Sequence, residues 1–227
     1  MAKFLKCFEV VAYFGIIKHM LEKINTVKEV FKYQYLISKS KFIAYVYPFD
    51  EGDKVDTILT ALKKEEKGAT HYCYGFKYLK GLSKLKLEKD TNDFVTGYSD
   101  DGEPTGTAGM QILKAISEVS ATNVLIIVVR YFGGIKLGVG GLGRAYKLAA
   151  DEVLKNLSEF EIKNVIKMSL SYSNFEKLKA TRGSEFVVDN VEYGEVVDAV
   201  ICANQTLNLE KVMGDIDFEV LGKRYEK

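Results

Sequence analysis

Six consecutive aliphatic residues, Val124-Leu-Ile-Ile-Val-Val129, constrain this chain most. The run is far shorter than the ~20 apolar residues a membrane helix needs, and it has the length of a strand. It is apolar on both faces, which predicts a strand central in a sheet. It continues through Arg130 into Tyr131-Phe-Gly-Gly-Ile-Lys-Leu-Gly-Val-Gly-Gly-Leu-Gly143, which holds six glycines. A long helix is expected next, to about Leu157. Leu142, Tyr146, Ala149, Val153 and Leu157 form its buried stripe, and Lys147 and Asp151 make an i,i+4 surface pair.

Upstream, Phe31, Tyr33, Tyr35 and Ile37 alternate as a strand. Ser38-Lys39-Ser40 reads as a turn and Phe42 to Tyr47 as the returning strand, stopped by Pro48. The acidic Asp50-Glu-Gly-Asp53 is expected to cap a helix carrying Val55, Ile58, Leu59 and Leu62, which Gly68 ends. His71 to Tyr78 is an aromatic strand. A solvated lysine-rich connector follows, with Lys77, Lys80, Lys84, Lys86 and Lys89. Phe94 to Tyr98 is a short strand. The turn-forming Ser99-Asp-Asp-Gly-Glu-Pro-Thr-Gly-Thr-Ala-Gly109 comes next, then a helix with Met110, Leu113, Ile116 and Val119 on one face.

After Phe160 the texture changes. Ile166, Met168, Leu170 and Tyr172 alternate as a strand, and Phe175–Ala180 is a short helix. Phe186–Val191 and Glu195–Cys202 flank a Tyr193-Gly194 hairpin turn. Leu209, Val212 and Met213 share a helical face, and Ile216, Phe218 and Val220 form a last strand. This β-α-β-β-α-β order is the split βαβ, ferredoxin-like pattern. The expected organisation is an extension over 1–19, a first domain over 20–161 and a second over 162–227. Residues 1–19 loosely imitate a signal peptide, but Glu9 interrupts the apolar stretch and no small-x-small site follows; Met20 offers a second start.

Charge divides unevenly. Residues 1–163 carry 24 Lys and Arg against 20 Asp and Glu, and residues 164–227 carry 8 against 11, so a polyanion or acidic partner suits the first part better. Three widely spaced cysteines without a C-x-x-C argue for a reducing, cytoplasmic setting with no disulfides.

Gly138-Val-Gly-Gly-Leu-Gly143 matches G-x-G-x-x-G, but seven residues separate it from Arg130. That spacing rejects a Rossmann turn, and no Walker sequence is present. Two readings of the glycine loop stay open. In one, backbone amides at Gly133, Gly134, Gly138, Gly140 and Gly141, bracketed by Arg130, Lys136 and Arg144, receive a phosphate or nucleic acid. In the other, the glycines serve close packing and positive-φ turns. Asp100, Asp101 and Glu103 beside Thr105 can likewise hold a cation or act as a base, or cap the helix that follows. His71 and Cys73 share a strand face and fit a nucleophile–base pair, with no evident third group; His71 also fits a polar binding contact. Tyr72, Tyr74, Phe76 and Tyr78 suit either base stacking or a packed face. No metal or cofactor is expected.

Four segments together resemble the YigZ/IMPACT family: Ser40-Lys-Phe-Ile43, Ala69-Thr-His-Tyr-Cys-Tyr-Gly-Phe76, the turn 99–109, and Val128 through the glycine loop to Tyr146. The resemblance runs from about Met20 to the C-terminus; residues 1–19 have no counterpart in it. It implies an α+β protein. Its first part would be a two-layer α/β sandwich of the ribosomal-protein-like superfamily, with helices on one side of a sheet, and its second a small ferredoxin-like α+β domain. It further implies a role in translation. Eukaryotic relatives act through the amino-acid-starvation kinase pathway by binding its activator protein, and nucleic-acid or ribosome association is suggested for bacterial ones. Only the segments 99–109 and 130–146 carry over as functional surface, and no catalytic residue does. Two functions follow as expectations. One is a non-catalytic binder of RNA, ribosome or a translation-control protein. The other is a small phosphoryl-transfer or hydrolytic enzyme using the acidic turn with the glycine loop.

Overall fold

After a short β1 (Lys23–Thr26), the chain builds a five-stranded antiparallel sheet with β6 (Val124–Tyr131) at its centre, as the composition of that strand demands. The order is β2 (Phe31–Ile37), β3 (Ser40–Pro48), β6, β4 (His71–Leu79), β5 (Phe94–Ser99). This is a computed structural model, which describes residues 23–80, 94–181, 186–204, 207, 209, 216 and 218–226. The expected extension 1–19, the connector lysines 84, 86 and 89, and Val212 and Met213 lie outside the described residues.

The side chains of β6 alternate between two cores. Val124, Ile126 and Val128 join Phe42, Ala44 and Val46 of β3 beneath α2 (Gly109–Glu118) and α3 (Gly138–Leu154), which supply Ile112, Ile116, Leu142, Tyr146, Ala149 and Val153. Leu125, Ile127 and Val129 join Ile43, Tyr45 and Tyr72 beneath α1 (Val55–Glu65), which supplies Leu62, Ile58 and Leu59. All six aliphatics of the run are fully buried, each worth roughly 2 kcal/mol of transfer free energy. The α+β class holds. The layering exceeds the two-layer sandwich with helices on one side, because the second face of β6 is as apolar as the first and α1 covers it.

Asn123 fixes where β6 begins. Its φ of 53° is one that Asn tolerates better than most residues. Its carbonyl accepts from the Phe49 amide and the Thr26 hydroxyl, and its side-chain oxygen accepts from the Leu79 amide. At the other end of the sheet, Ser38 and Lys39 both take positive φ (48° and 62°) to turn the β2–β3 hairpin.

Two local expectations need correction. The Asp50–Asp53 turn closes on itself and leaves α1 without a side-chain cap: the Asp53 carboxylate accepts from the Asp50 amide and the Asp50 carboxylate from the Gly52 amide. Tyr172 is not a strand residue but the first residue of α4 (Tyr172–Ala180), because the Ser171 hydroxyl caps that helix through the Asn174 amide.

The chain divides into two compact units, one built on Ile24–Lys80 and Asp93–Glu159, the other including everything from Phe160 onward. In the second, β7 (Ser158–Leu170) lies between β10 (Phe218–Glu226) and β9 (Val197–Asn204), with β8 (Phe186–Tyr193) on the far side of β9, all antiparallel. β7 and β8 therefore run parallel with β9 between them, the split βαβ arrangement. A core of Ile166, Met168, Leu170, Ile201 and Phe218 packs against Phe175 and Leu178 of the nine-residue α4. Among the described residues, no helix is long and apolar enough to cross a membrane.

Candidate functional site

Arg130 comes at the end of β6, where the strand leaves the core. Its side chain turns inward: the residue is 5% exposed and its Nη1 donates to Glu103 Oε1 at 2.6 Å. The guanidinium also lies against the Phe42 and Phe132 rings, at 5.4 and 5.2 Å. The same Glu103 oxygen accepts from the Tyr146 hydroxyl at 2.8 Å. Burial, first of all, raises the Tyr146 phenol far above its usual range, helped by Cys73 and Glu103, so it remains a proton donor. This three-residue hub ties β6, the acidic turn and α3 together. It corrects the expectation that Arg130 waits for an external anion: Glu103 already neutralises it.

The acidic turn is likewise committed. Asp100 Oδ1 accepts from the Ala108 and Gly109 amides and Oδ2 from the Gly106 amide, so this carboxylate caps α2 from the preceding loop. Asp101 takes a φ of 42°, and its carboxylate accepts from the Tyr72 amide at 2.6 Å. Glu103 belongs to the hub. Of the two readings left open for this turn, capping and internal pairing match the geometry. No group of three or more His, Cys, Asp or Glu among the described residues is arranged to hold a metal ion. Thr105 is exposed at the crest of the turn.

His71 and Cys73 do share a face, and each is engaged elsewhere rather than as a nucleophile–base pair. His71 Nδ1 lies 2.7 Å from the Asp101 carbonyl, and its Nε2 lies 3.9 Å from Glu103. Cys73 is fully buried and donates to the Asp100 carbonyl and the Tyr146 oxygen. Burial pushes its thiol far up, so no thiolate forms near neutral pH. Cys73 carries a free thiol, and Cys202 is buried in the second unit. Tyr72, Tyr74, Phe76 and Tyr78 pack on the α1 face; the Tyr74, Phe76 and Tyr78 rings stack in succession at 6.4 and 6.1 Å. The packed-face reading holds for them.

The glycine loop shows both elements of the second reading, close packing and positive-φ turns. Gly133 is a packing glycine: a Cβ there would sit 2.0 Å from the Lys39 carbonyl, and its amide donates to the Ser40 hydroxyl. Gly134 and Gly138 take φ of +83° and +69° in open space, and a Cβ on Gly140 would meet only the Arg144 guanidinium, at 3.5 Å. Gly141 is half-buried beside Leu137. The first amides of α3 lack intrahelical acceptors, and the N-cap residue Leu137 supplies no side-chain cap. Lys136 and Arg144 are exposed and make no ion pair among the described residues. The bracketing cations thus reduce to these two.

A neighbour that the sequence reading missed completes this end of the molecule. The hairpin tip at Leu36, Ile37, Lys39 and Lys41 abuts the loop through Gly133, and Lys41 Nζ lies 4.1 Å from the Tyr131 ring centroid. The available signal was Leu36-Ile37, an adjacent apolar pair that breaks the alternation of β2 beside two lysines.

A family model for the Impact N-terminal domain matches residues 38–154, more than half of the chain, and spans the hub, the acidic turn and the glycine loop. The chain belongs to the IMPACT family. It is 33% identical over 182 residues to IMPACT family member YvyE of Bacillus subtilis, covering 79% of each chain. It is 33% identical over 122 residues to IMPACT family member YigZ of Escherichia coli, covering 54% of this chain and 55% of that one. Mouse Protein IMPACT matches at 30% over 102 residues, 44% of this chain and 29% of the longer relative. A crystal structure described only as a hypothetical protein overlays with a TM-score of 0.56 at 25% identity, covering 81% of this chain and 86% of that one. The two-domain translational regulator Yih1 overlays at 20% identity and a TM-score of 0.29, too loosely to carry an argument.

Proposed function

We propose that this IMPACT-family chain is a non-catalytic binding protein acting on translation, and that it engages RNA, ribosome or a translation-control protein through the glycine loop with Lys136 and Arg144. One observation carries the reading: the groups expected to do chemistry are consumed internally, while the loop and its two cations face solvent. Glu103 and Arg130 neutralise each other, and Asp100 caps α2. Cys73 is held as a thiol. The unsatisfied first amides of α3 and the two cations together suit the anionic groups of a partner. The role in translation comes from the family resemblance. The hydrolytic or phosphoryl-transfer alternative finds each carboxylate of the acidic turn already holding a structural partner.

Co-sedimentation of the full chain with ribosomes and ribosomal RNA tests the reading. The wild type is expected to co-sediment at about 50 mM salt and to be lost steeply by about 200 mM; Lys136→Ala with Arg144→Ala should weaken it about tenfold and flatten the salt slope by about 1–2. No association at low salt, or association indifferent to both substitutions, would refute it.

A further inference from the structure

The two cations do not stand alone. No Asp or Glu occurs from Val30 to Phe49 or from Val119 to Ala150, the two stretches that meet where Gly133 packs on Lys39. Of the cations there, Lys32 pairs with Glu66, Lys147 with Asp151 and Arg130 with Glu103. Lys39, Lys41, Lys136 and Arg144 remain for this end of the sheet. At this end Val139 (68% exposed), Ile37, Ile135 and Phe132 lie on the α3 side or in the loop leading to it, while Leu36 (70%) and Lys41 turn to the α1 side with Lys32 and Tyr131. Five exposed large apolar residues on two adjoining loops are more than scattered surface hydrophobics.

Their chemistry separates one class of partner from another. Single-stranded nucleic acid is held by aromatic rings that stack on bases. Here four of the five are aliphatic, and the one ring, Phe132, rests on the Arg130 guanidinium. Aliphatic side chains interspersed along the two loops with ammonium and guanidinium groups match a peptide that alternates aliphatic and carboxylate side chains along one helical face. Building on the binding role proposed above, we propose that the hairpin tip 36–41 and the loop 132–144 form a docking surface for an acidic amphipathic protein segment. Charge complementarity supplies orientation and capture, and the aliphatic contact supplies residence.

The test uses the full chain and three fluorescent probes read by anisotropy: a 20-residue amphipathic peptide of Glu and Leu at helical spacing, a polyglutamate peptide of equal charge, and a 20-nucleotide oligouridylate. The amphipathic peptide is expected to bind about tenfold or more tighter than either other probe. Leu36→Ser with Val139→Ser, both highly exposed and so without consequence for folding, should remove about that advantage and leave polyglutamate binding unchanged. Lys136→Ala with Arg144→Ala should weaken both peptides. Equal binding of all probes, or oligouridylate binding that ignores L36S/V139S, would overturn the proposal. So would self-association of the wild type abolished by L36S/V139S, which would assign the surface to a second copy. If ribosomes or RNA are bound through Lys136 and Arg144 while L36S/V139S changes nothing, this proposal falls and the binding role stands. If no probe and no ribosome is bound, both fall.

Discussion

Replacing Glu103 with alanine strands a guanidinium in the core. Arg130 and Glu103 have side chains only 6% and 4% exposed, and their contact is 2.6 Å. Removing one partner of a buried pair costs about 3–5 kcal/mol, because the remaining charge stays buried without compensation. The fully buried Tyr146 hydroxyl loses its acceptor as well, adding about 1 kcal/mol or more. Against a typical total of about 5–15 kcal/mol, the first unit would lose a large share of its stability. Because the chain has two units, the readout should isolate this one: amide hydrogen exchange of β6, whose slowest protons report the opening of the central strand. Glu103→Ala is expected to lower that opening free energy by about 4 kcal/mol, and Glu103→Gln, which keeps the shape and an acceptor for Tyr146, by about 3 kcal/mol. Glu103→Leu with Arg130→Met should return to within about 1 kcal/mol of wild type, since an apolar pair of similar volume replaces the ion pair. A cost below about 1 kcal/mol for both single variants, or a double variant no better than Glu103→Ala, would refute the assignment of Arg130 to internal pairing.

Two further outcomes follow from local geometry. Gly133→Ala places a Cβ 2.0 Å from the Lys39 carbonyl, a backbone clash that rotamers cannot relieve, so the hairpin tip and loop must part. A loss of about 2 kcal/mol in the same exchange measurement is expected, with partner binding reduced, and unchanged values would contradict the packing role. Glu66 lies at the C-terminal cap of α1; burial there raises its pKa, but donors from Tyr45, Lys32 and Tyr131 outweigh it and bring it from 4.5 down to about 2. A depressed carboxylate stabilises the fold above its unfolded value and loses that contribution as pH falls from about 4.5 to about 2. Since Lys32 is half exposed, screening trims the contribution to about 1–2 kcal/mol. Wild type should therefore lose more stability than Glu66→Gln between about pH 5 and about pH 2 in acid titrations of the folded state; parallel curves would contradict the linkage.

The sequence was most informative where the physics is local. Val124–Val129 could only be a strand buried on both sides, and the alternation of β2 and the stripe of α3 read directly as surfaces against a core. The turn 99–109 was recognisable as chemically dense, yet its meaning was not. Whether Asp100 caps α2 or awaits a cation depends on where three amides point, and Glu103 meets Arg130 across 27 residues of chain. Arg130 read as a cation for an external anion because it borders the glycine loop; the alternation of β6 instead turns its side chain to the face it shares with Ile126 and Val128. The cover over the second face was hidden for a similar reason, because α1 is only modestly apolar and its site on the sheet is set by tertiary packing. The hairpin tip went unread because Leu36 and Ile37 gain significance only from the loop that folds beside them.

Photocrosslinking from Val139 probes the central claim most directly. A benzoylphenylalanine placed there, on a side chain that is 68% exposed at the start of α3, is expected to capture a component of the translation machinery in cells. The same group at Leu148, also exposed but farther along α3, should capture little. Equal capture from both positions, or none from Val139 while Leu148 crosslinks, would contradict an account in which the glycine-rich end of the sheet is the contact surface.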